Sequence, residues 1–461
     1  MAKVESVPGD HPPSQRGILA VFYEPWMQIF LISFISFCNP GMYNALTGMG
    51  GSGQVNGTVA ANSNVATHAC TAGAALFLVG TFYKYLGPRW SLVVGGWTYA
   101  LYAGSLLSFN RTANGEFVIA AGAILGLGAA FFWVAQGTIM VTYTTDSTRG
   151  RAIGLFWVVF NLGGAIGSLV SFGLNYHSSA GTVTDSTYTA YIVVMLFGWA
   201  LSLLVCDTDS LSQKYHGSRI ERSAKRLNWT NIRETVELTM RVVFDWKIMC
   251  LYPMFYNANV FYSYQQNDVN GLTFNLRTRS LNSALYWIAQ MIGGLLMGFL
   301  LDLQHLNRRS RALSGWTILF VTGMAIWGGG YKFQVWSDRF GMHQDIDYKM
   351  GGSYLGPMFL YFFYGMYDAF WQSYCYWIIG AQSHDPITNA VIIGTYAALK
   401  PAGGAMAWRI NAQGTKPMMQ FAMNWGLTIG SLVVAAPTVI TLRRGEKIDE
   451  SVENDVRSNG V

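Results

Sequence analysis

The chain has 461 residues, of which 51% are hydrophobic, 15% are aromatic and only 12% are charged. Soluble domains carry about 25% charged residues, so this composition excludes an ordinary soluble protein and indicates a chain that crosses a membrane many times. The net charge of +6 gives no argument for nucleic-acid binding, because its effect depends on where the charges lie relative to the bilayer.

Apolar segments long enough to span a bilayer, roughly 18–25 residues, follow one another along the whole chain. They are predicted at residues 26–47, 65–86, 90–109, 117–142, 153–174, 189–206, 247–265, 281–302, 312–331, 354–380, 389–409 and 418–442. A long charged segment separates the first six from the last six. The sequence therefore predicts five regions, which are an N-terminal tail (1–25), a first six-helix bundle (26–206), a linker (207–246), a second bundle (247–442) and a C-terminal tail (443–461).

Charge placement predicts the orientation of these spans. With both tails in the cytoplasm, the loops on that side hold most of the Lys and Arg residues, as the positive-inside rule requires. We expect no cleavable signal peptide in the polar first 25 residues. Two glycosylation sequons, at Asn56 and Asn110, fall in loops assigned outside, whereas Asn228 lies in the linker and is interpreted as a chance match. The pattern fits the plasma membrane and internal membranes equally.

The linker contains one amphipathic stretch, residues 228–243, in which apolar side chains alternate with charged ones. We interpret it as a helix lying at the membrane surface. The alternative is a calmodulin-like or lipid-regulated target segment.

Motifs for metal binding or catalysis are not found. The five cysteines are scattered without C-x-x-C spacing, which favours small buried residues over disulfides or a metal site. The histidines are expected in loops, in tails or at the edges of spans, and no nucleotide-binding loop, G-x-S-x-G elbow or H-E-x-x-H motif occurs. We therefore predict a protein that is not an enzyme and that has no cofactor or metal.

Short patterns recur in the same order in both halves of the chain. Phe132-Trp133 recurs as Phe370-Trp371, Gly163-Gly164-Ala165 recurs as Gly403-Gly404-Ala405, and M-Y-N-A at 42–45 recurs as F-Y-N-A at 255–258. The first two pairs are 238 and 240 residues apart, and this nearly constant spacing, with the shared order of all three, predicts an internal duplication. The paired glycines favour close helix packing in lipid, with a rocking seam as the alternative.

Two short loops resemble the signature loop of the major facilitator superfamily, in which an acidic residue and cations pair across cytoplasmic helix ends. The residues that carry this resemblance are Gly80, Lys84, Gly87 and Arg89 in the first loop, and Gly298, Asp302, Arg308 and Arg309 in the second. The first loop has a lysine at the acidic position, and the second spreads its arginines. The resemblance implies a latch between helix ends, in a degenerate form.

Two longer stretches resemble the uncoordinated-93-like branch of that superfamily, especially its fungal members. They are N-P-G-M-Y-N-A-L-T-G-M-G-G-S-G-Q at 39–54 and the segment 138–168. The resemblance implies an all-α polytopic membrane protein, with twelve transmembrane helices in two pseudo-symmetric six-helix bundles around a central cavity. Members of this branch have been assigned regulatory and trafficking roles, so the resemblance does not by itself imply transport.

The segment Asn39-Pro40-Gly41 interrupts the first apolar run with two helix breakers and an amide. We predict a broken helix whose freed backbone groups face protein or a wet cavity. The side chains of Asn39, Tyr43 and Asn44 then either line the cavity or satisfy one another.

Two ionisable residues lie near the centres of predicted spans, Asp368 in the tenth and Lys400 in the eleventh. Charges in the hydrocarbon are costly, so each is a candidate site residue. We predict that the two pair or share a water network, either as a structural ion pair or as a substrate-binding or coupling pair. Removing one partner of such a buried pair costs about 3–5 kcal/mol.

Polar and aromatic residues at similar predicted depth complete the candidate cavity. Trp133 stands three residues before Gln136, where many proton-coupled facilitators that resemble this pattern carry an arginine. Trp133 and Trp371 either face one another as aromatic walls for an apolar or cationic ligand or are ordinary core or lipid-facing aromatics. The further lining candidates are Asn161, Asn257, Asn259, Gln290 and Gln372.

Two functions of different class follow. The first is a secondary-active transporter of a small solute or ion that works by alternating access, favoured by the duplication and the midplane charges. The second is a non-transporting regulatory subunit or trafficking chaperone with a membrane-protein partner, favoured by the degenerate latch and the absent arginine. Both place the chain in a lipid bilayer, and neither involves nucleic acid.

Overall fold

The computed structural model describes residues 24–54, 57–143, 149–177, 182–206, 237, 239–303, 305–340, 345–383 and 386–442. Within these ranges the chain is helical apart from loops and one isolated β-bridge between Phe274 and Ile346. Residues 1–23 and 443–461 of the two tails, most of the linker with the first part of its amphipathic stretch (228–236), and Asn56 of the first sequon lie outside the described residues.

Each of the first six predicted spans coincides with one helical stretch. In chain order these are α1 (Pro25–Ser36) with a π-helix (Phe37–Gly41) and α2 (Met42–Gly48), then α3 (Gly57–Phe77), α4 (Val79–Thr112), α5 (Gly115–Thr142), α6 (Arg149–Leu174) and α7 (Asp185–Leu201). Short 3-10 turns follow α2 at Gly51–Gly53 and α7 at Ser202–Leu204.

The last six predicted spans also coincide with helical stretches. The first is divided into α8 (Trp246–Met249), α9 (Tyr252–Asn257), α10 (Phe261–Ser263) and a π-helix (Tyr264–Gly271), and the others are α11 (Leu276–Leu301), α12 (Arg308–Phe340), α13 (Gly352–Gly380), α14 (Pro386–Ala412) and α15 (Pro417–Ile440). A 3-10 turn, Tyr348–Met350, precedes α13. Among the described residues, 8 stretches are long and apolar enough to cross a membrane by composition alone. The other four are α3, the α8-to-π stretch, α13 and α14, which contain most of the candidate site described below.

The interior consists of two large hydrophobic cores. One is built from residues between 29 and 206 together with Leu276, and the other from residues between 242 and 442 together with Ala165. We call residues 24–206 the first half and residues 239–442 the second half. The halves meet mainly along two helix pairs, α3 with α14 and α6 with α11.

Glycines set the closest helix contacts inside each half. A Cβ atom at Gly163 of α6 would lie 2.5 Å from the backbone oxygen of Phe37, and one at Gly41 would lie 3.0 Å from the Cα of Gly163. In the second half, a Cβ atom at Gly403 of α14 would collide with the backbone oxygen of Tyr256 in α9. The packing role predicted for these repeated glycines is confirmed.

The first helix was predicted to be broken at Asn39-Pro40-Gly41, and this prediction is wrong because the helix is not interrupted there. The chain remains helical through Asn39-Pro40-Gly41, as a π-helical segment whose flanking residues Ser36 and Met42 have right-handed helical dihedrals. Proline lacks the N–H that an α-helix needs, and π-helical turns of this kind occur often at functional sites. A second π-helix, Tyr264–Gly271, lies in the corresponding helical stretch of the second half.

The predicted bounds of the second span are also wrong, because α3 begins at Gly57 instead of residue 65. Its first turns carry polar side chains that point inward, and this lowered the local hydropathy. The hydroxyl of Ser63 donates to the oxygen of Val118 in α5 at 2.8 Å, and Asn64 accepts from Tyr43 at 2.8 Å. Gly87, with a φ of 68°, then interrupts α4 just before Pro88.

Candidate functional site

The carboxylate of Asp368 lies near the middle of α13 and is 1% exposed. Its Oδ2 accepts hydrogen bonds from the hydroxyl of Tyr262 at 2.5 Å, from the hydroxyl of Tyr286 at 3.4 Å and from the amide of Gln290. Its Oδ1 accepts from the amide of Gln372 at 3.2 Å. Neutral donors from α10, α11 and α13 therefore surround the charge, which is the arrangement that a buried carboxylate requires.

Lys400 does not bond to Asp368 directly, and Gln372 stands between them. The ammonium of Lys400 donates to Oε1 of Gln372 at 3.0 Å, and the same oxygen accepts from the hydroxyl of Tyr396 at 2.5 Å. The ammonium also lies 5.7 Å from the centre of the Tyr396 ring. Of the predicted direct pairing or shared water network, the direct pairing is not present, and the amide of Gln372 instead donates to Asp368 and accepts from Lys400.

Sequence reasoning missed His68, which was assigned to the edge of a span. Because α3 begins at Gly57, His68 lies in the middle of the helix, and its ring contacts the position of Gly404 in α14. A single imidazole within a run of small residues, A-T-H-A-C-T-A-G, is the sequence signal that indicates a close helix contact here.

The predicted cavity-lining residues of the first half differ from one another in their burial and in their contacts. The hydroxyl of Tyr43 donates to Asn64, which joins α2 to α3, while Asn44 and Gln136 are half-buried. Asn39 is fully buried, donates to the oxygen of Ile35 and lies against Gly198 of α7, so it faces the interior of its own half.

Two further candidates, Asn161 and Asn257, are buried and have side-chain oxygens that accept no hydrogen bond among the described residues. The amide nitrogen of Asn257 donates to Thr428 at 3.1 Å.

The predicted pair of aromatic walls is not present. Trp371 is 0% exposed and donates its indole N–H to the oxygen of Met254, so it belongs to the interior of the second half. Trp133 packs edge-on against Phe156 and Phe160 within the first half. Each ring packs inside its own half. The repeated Phe-Trp pattern in the sequence did not indicate this.

The predicted latch residues contact backbone oxygens. Arg89 donates to Val205 at 2.6 Å, and Arg308 donates to Gly380 at 3.0 Å. Within the described ranges, Asp302 forms no ion pair, and Nε of Arg309 is buried without a partner. Gly298 has open space around it, and the side-chain positions of Gly80 and Lys84 lie outside the described residues. The cations therefore cap helix ends here, as basic side chains do elsewhere.

The end of the molecule opposite the termini is closed by a glycine-rich loop, residues 48–53, which we call the glycine loop. The buried guanidinium of Arg279 in α11 donates to the oxygens of Met49 and Gly50, at 2.7 Å each. Gly50 has a φ of 74°, and a Cβ atom there would collide with the backbone oxygen of Gln266. Only glycine fits this close approach between the halves.

Amides and a hydroxyl of the second half hold the rest of the glycine loop. Asn270 and Tyr361 both donate to the oxygen of Gly48, at 2.8 and 2.9 Å. Oδ1 of Asn267 accepts from the N–H of Gly51 at 2.7 Å. Buried hydrogen bonds to backbone groups of this kind fix the two halves against each other at this end.

A cluster of charged and aromatic side chains lies nearby, at the first turn of α11 and in the adjoining loops. Arg277 bonds to Asp347 through Nε and NH2, at 2.5 Å each, and its guanidinium lies 5.1 Å from the ring of Tyr176. The hydroxyls of Tyr176 and Tyr348 are 3.0 Å apart. Burial raises the pKa of Asp347, but hydrogen bonds from Arg277 and Asn275 outweigh it and hold this pKa below its usual range.

Within the described ranges, no group of three or more His, Cys, Asp or Glu residues is placed to hold a metal ion. The candidate site is therefore described by its hydrogen-bonding side chains, which extend from Asp368 through Gln372 and Lys400 to the junction of the halves.

Solved structures of transport proteins share this fold. A xylose transporter from E. coli, XylE, in a partially occluded inward-open conformation, superposes with a TM-score of 0.61 at 14% identity, over 91% of this chain and 98% of that chain. A D-xylose-proton symporter superposes with a TM-score of 0.55 at 12% identity, over 90% of this chain and 97% of that chain. This chain shares the fold of these transport proteins, which confirms the predicted all-α class and a multi-span integral membrane protein in contact with lipid.

Sequence comparison gives the family. The model of the family described as "Ion channel regulatory protein UNC-93" matches residues 63–326. An UNC93-like protein of Schizosaccharomyces pombe is 38% identical over 433 residues, which are 93% of this chain and 84% of that protein. UNC93-like protein 1 of Arabidopsis thaliana is 39% identical over 438 residues, 93% of each chain. The chain belongs to the UNC-93 family, as its motifs predicted, and it is a transporter-like or regulatory membrane protein.

Proposed function

We propose that this protein is a secondary-active transporter that moves a small solute or ion across the membrane by alternating access. The observation that carries the proposal is the chain of buried polar contacts from Asp368 through Gln372 to Lys400, near the middle of two spanning helices. Buried ionisable groups at this depth are costly and mark solute or ion pathways in membrane proteins.

The closed glycine loop supports the same proposal. Alternating access requires that the halves separate at one end while they close at the other, and hydrogen bonds from Arg279 and Asn270 close one end here. The proposal places both tails in the cytoplasm and treats residues 26–206 and 247–442 as the two moving bundles, with 207–246 as their linker.

A second candidate function is that of a non-transporting regulatory subunit or trafficking chaperone that binds another membrane protein. The description of the matching family, an ion channel regulatory protein, supports it. The latch supports it as well, because Asp302 makes no ion pair among the described residues. This candidate predicts a stable protein partner and no solute-dependent stabilisation.

Thermal unfolding of the purified protein tests the proposal. Melting temperatures are measured with monovalent cations, amines, sugars, amino acids and lipophilic cations, at acidic and neutral pH. A solute that binds only the folded state raises the melting temperature in a saturable way. We expect such a rise for the wild type and its loss in Asp368→Asn.

Glu116→Gln is the matched control, since it removes an exposed carboxylate at the start of α5. A flat response of the wild type to every solute, with a partner protein that co-purifies, would instead support the regulatory function. A response that persists in Asp368→Asn would remove Asp368 from the site.

A further inference from the structure

The junction between α3 and α14 carries polar side chains that the packing leaves without partners. A Cβ atom at Gly404 of α14 would lie 3.2 Å from Cγ of His68 and 3.2 Å from Cβ of Asn259. The glycine therefore lets a side chain of the first half and one of the second half approach the same point. Among the described residues, neither His68 nor Asn259 makes a side-chain hydrogen bond.

Lys400 lies on the same face of α14, because it precedes Gly404 by four residues, about one helical turn. The ammonium can donate three hydrogen bonds, and the only acceptor it has among the described residues is Gln372 at 3.0 Å. Two donor positions of this half-buried cation are therefore free, beside a half-buried imidazole and an amide that are also free.

The charge at this junction is positive. Neither α3 nor α14 contains an acidic residue, whereas they carry His68, Lys400 and Arg409. Asp368 lies on the other side of Gln372 and its two oxygens accept from donors of its own half, so it occupies none of the free donor positions of Lys400. His68 and Lys400 are half-buried and Asn259 is 8% exposed, so their free groups are open to a ligand, and one with negative oxygens would satisfy all three.

We propose that His68, Asn259 and Lys400 form a binding site for a small carboxylate anion at the junction of the two halves. The proposal rests on the transport function proposed above and names its class of substrate. Lys400 supplies the charge, and the imidazole and amide N–H groups donate to the carboxylate oxygens, which is the strong form of hydrogen bond. His68 belongs to the first half and Lys400 to the second, so the bound anion contacts both.

Thermal unfolding of the purified full chain tests this site, with sodium acetate, sodium lactate and sodium benzoate compared with sodium chloride at equal ionic strength. We expect a saturable rise in melting temperature with at least one carboxylate. Lys400→Met should abolish it, and Lys400→Arg should retain it. His68→Phe and Asn259→Ala should each raise the half-maximal concentration roughly tenfold, the effect of one lost hydrogen bond.

Lys416→Met is the matched control, because Lys416 is exposed in the loop between α14 and α15. If Lys400→Met does not fold, the His68→Phe and Asn259→Ala variants decide the question. A carboxylate response that is unchanged in those variants would overturn the proposal. Stabilisation by cations alone, lost in Asp368→Asn, would leave the transport function standing and exclude this anion site. No response to any solute would contradict both.

Discussion

Arg279 in the second half holds Met49 in the first half through a 2.7 Å hydrogen bond from its Nε to the backbone oxygen. The guanidinium is buried and has no carboxylate within ion-pair distance among the described residues, so its hydrogen bonds go to backbone oxygens. Because these oxygens belong to the glycine loop, the contact exists only while the halves are closed at this end.

Arg279→Leu should open the glycine-loop end of the molecule. The change removes two hydrogen bonds from a charged donor, each contributing about 1.5–3 kcal/mol. A cysteine introduced at Ser280, which is buried beside Met49, should then react with a membrane-impermeant maleimide at least tenfold faster than in the parent. Arg339→Leu, at an exposed position on α12, is the control, and equal rates in the two backgrounds would contradict the gate.

Gly403→Ala should destabilise the protein, because the added methyl group collides with the backbone oxygen of Tyr256 and neither backbone can give way. Overpacking of this kind costs about 1–3 kcal/mol. Gly394→Ala, on the same helix, adds its methyl to open space. We expect a melting temperature several degrees lower for Gly403→Ala than for Gly394→Ala, and equal values would show that α9 and α14 are not in contact.

Gln372→Met should lower the free energy of unfolding more than the substitution of a glutamine that bonds only to its own helix. The methionine has a similar volume, but it leaves Lys400, Tyr396 and one oxygen of Asp368 without their hydrogen-bond partner. Each buried group left unsatisfied costs about 1–3 kcal/mol. Gln382→Met removes only a bond to the backbone of its own helix, and unfolding measured for both variants should show at least a twofold larger loss for Gln372→Met.

The contact between Arg277 and Asp347 should weaken in acid. The pKa of Asp347 in the folded protein lies below its usual range, so this residue stabilises the fold above the unfolded value of about 3.9. That contribution is lost as the pH falls through the lower folded value. The difference in melting temperature between wild type and Asp347→Asn should therefore be largest near neutral pH and should shrink below pH ~4.

Glycosylation at Asn56 and Asn110 remains a prediction, and it would establish the orientation. The amide nitrogen of Asn110 donates to the oxygen of Val183 and to Asp185, so a glycan there displaces existing hydrogen bonds. After expression in a eukaryotic host, treatment with an N-glycosidase should increase the electrophoretic mobility of the wild type. The change should be smaller in Asn56→Gln, and no change in either protein would contradict the predicted orientation.

Properties that depend on local composition were predictable from the sequence. The succession of helical stretches and the repeated glycine contacts follow from apolar length and small-residue patterns. Charges within apolar runs single out Asp368 and Lys400, whose roles remain predictions.

Properties that depend on which side chain stands between two others were not predictable. Gln372 has no special position in the sequence, yet its amide separates Asp368 from Lys400. His68 was misplaced because inward-facing polar residues such as Ser63 and Asn64 hid the true start of α3. Hydropathy averages all faces of a helix, so it cannot distinguish polar groups that face a partner from those that face lipid.

The glycine contacts have a mechanical consequence. On one side α6 meets the π-helical segment of the first half through Gly163, and on the other side it meets α11. In the same way α14 meets α9 through Gly403 and meets α3 on its other side. Backbone packed directly on backbone leaves no side chain that can change its rotamer to absorb a shift. Any displacement at the junction of the halves is therefore passed undiminished to the first helical stretch of each half.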